Sequence, residues 1–363
     1  MKILYDHLCF WQKYGGVPRY YVELMKRIPP DNYVTTVKFS NNEYLKELEG
    51  IKYHSFLDNI QFRGKARLES EVGKLYSIPI LLRGNFDIYH QTHYDTYAFK
   101  YLPKNKAKVT TIHDMNYYAI PSYYPANLYL KDQMEKSIKL ADRIITVSNN
   151  SKFDLCNYLK VPEQKIAVIY HGVDIDRIRS IEEVKSHDVP PYILFVGARN
   201  SYKNFERLID AFVIVRQKYP GLKLYCAGKK PTKLEMEFLR SKKVDSDVCF
   251  FQASDHQLIL LYKHALAFVF PSLYEGFGLP ILEAMASGCP VVISNTSCFP
   301  EIAQDAASYF SPTDVGSIAD AIVCVLDDST YRDDLVKKGR KRAENFTWDK
   351  SVERHMEVYR SLL

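Results

Sequence analysis

Paired cysteines and long apolar runs are both missing from this sequence of 363 residues. The seven cysteines are scattered singly, and an odd number without close spacing argues against a disulfide framework and against a zinc site. No apolar run approaches the roughly 20 residues that a membrane-spanning helix needs. Asp6 follows the first apolar residues too early for a secretory signal. We therefore expect a globular protein of the reducing cytoplasm.

Three functional signatures are also lacking. The glycine pair before Val17 lacks the G-x-G-x-x-G spacing, which counts against a dehydrogenase. No Asp-x-Asp motif stands at a suitable strand end, so we expect no metal requirement. The basic residues form no helix-borne cluster, so nucleic acid is not an expected partner.

The net charge of +6 is concentrated in the first half of the chain. Residues 1–170 hold 24 Lys and Arg against 17 Asp and Glu. This excess favours an acidic partner, either a phosphate-bearing acceptor or an anionic membrane surface, while an ordinary solvated surface remains open. The segment around Arg63, Lys65 and Arg67, with Leu68, Leu75, Ile78, Ile80 and Leu81 nearby, predicts either a basic amphipathic surface against lipid or a plain helical pair.

One stretch carries the strongest chemical signal. Residues 265–270 form an apolar run typical of a buried strand, and residues 290–293 form another. Between them lie a glycine-containing loop and a predicted helix, with Pro280 in its first turn and Gly288 at its end. A helix that begins in such a loop favours an anion or a group of hydroxyls at its N-terminus. Glu275 and Glu283 could bind two parts of one elongated ligand.

This stretch resembles the donor-sugar motif of the retaining glycosyltransferases of family 4 (glycosyl transferases group 1). The motif is a Glu, seven residues and a second Glu, in the context Glu275-Gly276-Phe277-Gly278-Leu279. The resemblance implies an α/β fold of the GT-B class, in which two Rossmann-like doubly wound parallel-sheet domains face a central cleft. It also implies that Glu275 and the loop residues Gly276, Phe277, Gly278 and Leu279 bind the donor sugar, and that Glu283 binds the ribose hydroxyls.

Further site residues follow predicted strands. Arg199 and Lys203 come after the buried strand 192–197, where two cations suit a diphosphate. His113 stands at the end of the strand 108–112, a place where the family has a histidine that contacts the donor sugar. By resemblance, His113, Arg199, Lys203 and Glu275 are the catalytic set. An alternative for Arg199 and Lys203 is simple surface solvation.

The acceptor side is predicted within the first half of the chain. Gly16 lies in a loop that would approach the donor phosphates and acceptor, with Arg19 beside it. His93 and Tyr94 lie in a loop rich in tyrosine and histidine, whose rings could stack on sugars. Asp114 is expected to orient His113 or its loop. For any single aromatic residue, a half-buried structural role is the competing interpretation.

Four segments are predicted. These are an acceptor-side domain over 1–174, a linker over 175–190, a nucleotide-sugar domain over 191–345 and a helix over 346–363 that returns to the first domain. The resemblance implies retaining hexosyl transfer from a GDP- or UDP-sugar to a saccharide or lipid-linked acceptor in cell-surface polysaccharide or lipopolysaccharide synthesis. We expect this transfer to need neither a metal nor a cofactor. Mannose is favoured, in the cytoplasm or at the inner face of the plasma membrane. Two alternatives stay open: a sugar-nucleotide epimerase or hydrolase, and a non-catalytic sugar-nucleotide-binding subunit.

Overall fold

Short buried strands alternate with helices along the chain, which is the pattern of parallel sheets. The computed structural model describes all residues of the chain except 59, 61, 125–127, 183–188 and 200. The chain divides into two units, Met1–His171 with Trp348–Leu363, and Gly172–Thr347. Residues 183–188 of the predicted linker lie outside the described residues, and residues 175–180 of it form a helix of the second unit.

The first unit contains a six-stranded sheet. Among the described residues its strand pairs are parallel, and the order is β2-β1-β3-β4-β5-β6. Its elements are β1 (Ile3–Tyr5), α1 (Gly16–Arg27), β2 (Tyr33–Thr35), α2 (Lys65–Arg83), β3 (Ile88–Gln91), β4 (Ala107–Ile112), α3 (Asn116–Ala119), α4 (Leu128–Leu140), β5 (Arg143–Thr146), α5 (Asn149–Leu159) and β6 (Ile166–Val168).

The second unit contains another parallel sheet of six strands, in the order β12-β11-β10-β7-β8-β9. Numbered within the unit this is 3-2-1-4-5-6, the strand order of dinucleotide-binding folds. Its elements are α6 (Ile175–Ser180), β7 (Tyr192–Val196), α7 (Phe205–Lys218), β8 (Lys223–Ala227), α8 (Lys233–Ser241), β9 (Val248–Phe251), α9 (Asp255–His264), β10 (Ala267–Phe270), α10 (Leu279–Ser287), β11 (Val291–Ser294), α11 (Phe299–Ala303), β12 (Ser308–Phe310), α12 (Val315–Asp327) and α13 (Ser329–Ala343).

The final helix, α14 (Trp348–Arg360), belongs to the first unit. Its buried side chains, Trp348 and Tyr359 among them, join the apolar core that includes β1 and α1. The Tyr359 hydroxyl lies 2.6 Å from His90 Nδ1 and 3.1 Å from the Tyr5 hydroxyl, so buried polar groups also contact it. Because an unpaired buried hydroxyl is costly, these contacts specify how α14 packs on the sheet.

The region over 40–84 differs from a helical pair. A 3₁₀ turn at Tyr44–Glu47 precedes a single long helix, α2. Its exposed leucines are Leu68, Leu75 and Leu82, spaced by seven, so they lie on one face. The lipid-facing set suggested by the sequence is corrected accordingly: Leu81 is completely buried in the first unit, and Ile78 and Ile80 are half-buried.

Candidate functional site

In the second sheet, β8 and β9 are added on one side of β7, whereas β10, β11 and β12 are added on its other side, so the order of the strands reverses between β7 and β10. These strands are neighbours in the sheet, with Ile193 opposite Ala267, although they are far apart in sequence. The chain leaves their carboxyl ends toward opposite sides, and ligands of open α/β sheets bind at such a switch point. Lys203 lies in the segment after β7, and Glu275 lies in the loop after β10. The topology therefore brings a predicted cation and a predicted acid to one edge of the sheet.

Lys203 and Glu275 form a close ion pair through Lys203 Nζ and Glu275 Oε1, and about 15% of each side chain is exposed. The Lys203 ammonium also lies 5.3 Å from the centre of the Phe270 ring, at the end of β10. A partly buried pair is less screened by solvent than a surface pair, so its attraction is stronger. Two residues that the sequence placed in one site are thus in direct contact.

Arg199 is held in a different set of contacts. Its Nε donates to Glu235 Oε1 at 2.7 Å, and Nη2 donates to the carbonyl oxygens of Lys229 at 2.9 Å and Lys230 at 3.2 Å. The guanidinium stacks 4.8 Å from the centre of the Phe250 ring, and only 4% of the side chain is exposed. Within the described part of the chain, Nη1 has no hydrogen-bond partner. Simple surface solvation does not describe this arginine.

Glu235 explains the fixed position of Arg199. It also closes the capping box of α8, where it accepts a hydrogen bond from the Thr232 N–H at 2.6 Å. Burial would raise the pKa of Glu235, but the hydrogen bonds from Arg199 and Thr232 lower it below its ordinary value. The carboxylate is therefore charged at neutral pH and compensates the guanidinium.

The loop after β10 is attached to the loop after β7. The Leu273 N–H donates to the Tyr202 carbonyl at 2.9 Å. Asn204, which has a left-handed φ of 60° and is buried, donates through Nδ2 to the carbonyls of Pro271 at 3.0 Å and Pro312 at 2.6 Å. One amide thus joins the loops that follow three strands. An Asn next to the predicted cation was the available signal, because Asn tolerates this conformation.

The Gly-rich loop leads directly into α10. Phe277 is buried, with its ring centre 6.0 Å from that of Phe346. Gly278 has φ of +92°, which permits the sharp entry, and Leu279 is the first helical residue. The N-terminus of α10 therefore directs its positive dipole end to the edge of the sheet where Lys203 and Glu275 lie. Gly276 precedes this turn in the same loop.

Glu283 lies on the second turn of α10 and is half-buried. The Tyr262 hydroxyl, from α9, donates to Glu283 Oε2 at 3.5 Å. Burial and the nearby Glu283 carboxylate raise the pKa of Tyr262 well above its ordinary value, so Tyr262 remains a donor. The second acid of the motif is therefore oriented by its neighbouring helix.

His113 follows β4 in the first unit and is packed among rings. The Tyr20 ring is edge-on at 5.0 Å, and the His171 ring is parallel at 5.9 Å. Its Nε2 is buried and has no hydrogen-bond partner among the residues that the structure describes. Burial, followed by the proximity of His93 and His355, lowers the pKa of His113 to about 3. The imidazole is neutral at pH 7 and can serve as a hydrogen-bonding group.

The other predicted residues of the first unit surround this strand end. The Tyr94 hydroxyl accepts from the His113 N–H at 3.2 Å, and the His93 and Tyr94 rings lie 5.7 Å apart. Asp114 Oδ1 accepts from the Asn116 N–H at 3.1 Å, a contact that orders the loop.

Gly16 and Arg19 lie at the beginning of α1. A Cβ on Gly16 would meet no atom within 4 Å, so the glycine leaves room for a group to approach the backbone. Arg19 Nε lies 3.9 Å from the Glu23 carboxylate, and its guanidinium lies 5.7 Å from the Tyr44 ring centre.

The described residues contain no cluster of three or more His, Cys, Asp or Glu side chains placed to hold a metal ion. None of their helices combines the length and apolar character needed to span a bilayer.

Two family models match the chain in succession: glycosyltransferase family 4 over residues 14–177, and glycosyl transferases group 1 over residues 176–342. O-antigen chain mannosyltransferase B of Escherichia coli is 28% identical over 396 aligned positions, which cover all of both chains. O-antigen chain mannosyltransferase RfbU of Salmonella typhimurium is 28% identical over 263 positions, covering 71% of each chain.

Solved structures share the fold along the whole chain. Sucrose-phosphate synthase from Thermosynechococcus elongatus superposes with a TM-score of 0.78 at 18% identity, covering 100% of this chain and 99% of the other. HepE from Anabaena, in complex with UDP and glucose, gives a TM-score of 0.76 at 17% identity and covers 99% of each chain. The two parallel six-stranded sheets with their helices are those of the GT-B glycosyltransferases.

Proposed function

We propose, because this chain belongs to the glycosyltransferases of family 4 and group 1, that it transfers mannose from a nucleotide diphosphate sugar to a saccharide or lipid-linked acceptor. The relatives that act on O-antigen chains support mannose as the sugar and a cell-surface polysaccharide as the product. GDP-mannose is the favoured donor. The observation that carries the site assignment is the contact between Lys203 and Glu275 at the switch point of the second sheet.

Lys203 is the proposed cation for the donor diphosphate. Its side chain is about 15% exposed, whereas that of Arg199 is 4% exposed and bound to Glu235. Lys203 can therefore exchange part of its interaction with Glu275 for a phosphate oxygen without moving another element. Arg199 is proposed as a second cation through Nη1, which first requires the turn at Lys229 and Lys230 to shift. Its buried, unpaired N–H favours such an exchange, because an unsatisfied charged donor is costly.

The second proposal concerns the sugar and the ribose. Glu275 and the backbone of residues 276–279 would bind the sugar hydroxyls, near the positive end of α10. Glu283 would accept hydrogen bonds from the ribose hydroxyls, with Tyr262 holding one of its oxygens. His113 would donate to or accept from the sugar as a neutral imidazole, since a pKa of about 3 makes it a poor general base at pH 7.

The proposed reaction retains the configuration of the anomeric carbon. The bond from this carbon to the diphosphate oxygen breaks, and a bond to the acceptor oxygen forms on the same face. The acceptor proton passes to the departing diphosphate oxygen. Lys203 and the helix dipole would stabilise the developing charge without a metal ion. Glu275 is not assigned as a covalent nucleophile, because its carboxylate is engaged by Lys203.

The acceptor is proposed to bind to the first unit. The loops beside His113 contain His93, Tyr94 and Asp114. The first turn of α1 contains Gly16 and Arg19. Aromatic rings and charged groups at these positions suit a saccharide that carries a phosphate.

We also propose that α2 contacts the anionic inner face of the plasma membrane. Leu68, Leu75 and Leu82 are 45%, 71% and 60% exposed on one helix face. Of two exposed arginines nearby, Arg63 lies just before α2 and Arg67 lies in its first turn. An apolar stripe with flanking positive charge fits a lipid surface that carries negative headgroups.

The deciding experiment is a donor screen with the purified full chain. Thermal stabilisation by GDP-mannose, UDP-glucose and ADP-glucose would be measured first, followed by transfer of radiolabelled sugar to a lipid-linked saccharide. We expect stabilisation and acceptor-dependent transfer with GDP-mannose. Free mannose or an isomerised donor formed equally well without acceptor would instead support a hydrolase or an epimerase, and binding without any turnover would support a non-catalytic subunit.

A further inference from the structure

The loop that contains Glu275 is held by two residues on the adjacent connection. Ser297 and Cys298 lie between β11 and α11, beside the carboxyl end of β10. Both contact the backbone of the loop rather than its side chains. Neither residue belongs to the two-glutamate motif, and neither carries a role in the proposed function.

Ser297 makes a two-way contact with one residue. Its Oγ accepts a hydrogen bond from the Glu275 N–H at 3.2 Å and donates another to the Glu275 carbonyl oxygen. Ser297 adopts a left-handed φ of 56°, a conformation that is uncommon for residues other than glycine, asparagine and aspartate. The hydrogen bonds of the serine hydroxyl therefore offset the conformational cost of the left-handed backbone at this position.

Cys298 provides a second donor to the same loop. Its Sγ lies 3.3 Å from the Glu275 carbonyl oxygen and 3.2 Å from the Phe277 carbonyl oxygen. The side chain is completely buried. Burial, and then the nearby Glu275 carboxylate, raise the pKa of Cys298 well above its ordinary value. The sulfur is therefore a protonated thiol that can donate its hydrogen to either carbonyl.

The geometry of the peptide bond gives these contacts a consequence. In a planar trans peptide the carbonyl oxygen and the following N–H point in opposite directions. Fixing the carbonyls of Glu275 and Phe277 on the side of Cys298 therefore directs the N–H groups of Gly276 and Gly278 to the opposite side. Because Gly276 and Gly278 have no Cβ, the two peptide planes that precede them are sterically less restricted than planes between other residues.

We propose that Ser297 and Cys298 are positioning residues that orient the peptide planes after Glu275 and Phe277 for donor-sugar binding. This inference rests on the proposed function, because it assigns the oriented backbone to the sugar rather than to the nucleotide. It predicts that sugar transfer, and not nucleotide affinity, depends on the two side chains. If the two side chains had a purely structural role, their removal would instead lower the melting temperature, the rate of sugar transfer and the nucleotide affinity together.

Cys298→Ala and Cys298→Ser would test the thiol. Alanine removes the donor, whereas serine restores one of similar size. We expect Cys298→Ala to lower kcat/KM for the donor by about 3- to 10-fold, the range for one modest hydrogen bond. The kcat/KM of Cys298→Ser should lie within about threefold of the wild-type value. The inhibition constant of GDP, the product, should stay unchanged in both variants.

Cys289→Ala is the matched control, because Cys289 is also buried in the second unit but lies at the opposite end of α10. Its Sγ lies 3.8 Å from the Ala265 carbonyl oxygen and 3.6 Å from the Pro290 carbonyl oxygen, both away from the loop. We expect wild-type kinetics for this variant. A fall equal to that of Cys298→Ala would overturn the proposal.

Ser297→Ala provides an independent test if Cys298→Ala does not fold. Two hydrogen bonds are removed, so kcat/KM should fall by about 10- to 100-fold while GDP inhibition is retained. Wild-type kcat/KM in both Ser297→Ala and Cys298→Ala, with an active wild-type enzyme, would refute the positioning role alone. Absence of transfer by the wild type from either GDP-mannose or UDP-glucose would instead refute the proposed function.

Discussion

Replacing Lys203 by methionine separates the catalytic and the structural roles of the ion pair. Methionine keeps most of the length of the side chain and removes its charge. If Lys203 stabilises the departing diphosphate, kcat should fall by about 10²- to 10³-fold, which is the typical loss for one electrostatic contact to a transition state. The measurement is the initial rate of radiolabelled sugar transfer at saturating donor and acceptor.

The same substitution has a structural cost that can be estimated from the contact. Losing one partner of a fully buried pair costs about 3–5 kcal/mol. Since about 15% of each side chain is exposed, we discount this cost to roughly 1–2 kcal/mol for the Glu275 carboxylate that remains. Each kcal/mol lowers the melting temperature of a unit of this size by roughly 2–4 °C.

The double variant K203M/E275Q then distinguishes the two effects. Removing the Glu275 charge as well should raise the melting temperature most of the way back to that of the wild type, because no uncompensated carboxylate remains. Transfer should stay at least as low as in Lys203→Met. Recovery of activity in the double variant would refute the role of Lys203 in transfer, and an unchanged melting temperature in the single variant would refute the structural estimate. Lys218→Met, which breaks an exposed pair with Asp327 in the same unit, is the control and should alter neither property.

Four other outcomes are expected. Glu283→Ala should raise the dissociation constant of the donor and of free GDP about tenfold or more, through loss of charge-assisted hydrogen bonds to ribose; calorimetry showing unchanged binding of both would contradict the assignment. EDTA should leave the transfer rate intact, whereas loss restored by Mg²⁺ would disprove metal-independent transfer. The first unit should lose stability as pH falls below about 6.5, because unfolding lets histidines with lowered pKa values, His113 near 3 and His355 near 4, take up protons. In thermal melts, the melting temperature of His355→Gln should depend less on pH than that of the wild type. An unchanged pH dependence would contradict the role of His355. The variant L75D/L82D should bind anionic vesicles at least tenfold more weakly in flotation assays with unchanged activity on a water-soluble acceptor, and equal vesicle binding would exclude α2 as the lipid contact.

The part of the site that follows strands in sequence was predictable. Lys203 and Glu275 each stand just beyond an apolar run, and the carboxyl ends of parallel strands meet at one edge, so both were expected at the same edge; their direct contact depends on β7 and β10 being neighbours in the sheet. The GT-B fold was implied by the family resemblance, and the solved structures confirm it. The residue roles remain predictions, because contact geometry alone does not identify a ligand.

The parts that were not predictable depend on contacts between distant residues. The partner of Arg199 is Glu235, on α8, and nothing next to Arg199 in sequence indicates that pairing. The exposed face of α2 was assigned to the wrong leucine because Leu81 and Leu82 are adjacent, and helix phase alone decides which one faces the core. Ser297 and Cys298 contact a loop some 20 residues earlier, a relation that only the order of β10 and β11 in the sheet creates.

The position of α14 has a consequence for synthesis on the ribosome. The second unit is a continuous stretch and can fold once residues 172–347 have emerged. The first unit cannot complete its core until Trp348 and Tyr359 arrive, although its strands are made first. The first unit therefore stays incompletely folded, with Tyr5 and His90 not yet covered by α14, while the second unit is synthesised and folds. Shielding by chaperones during translation is most needed for the segment made first.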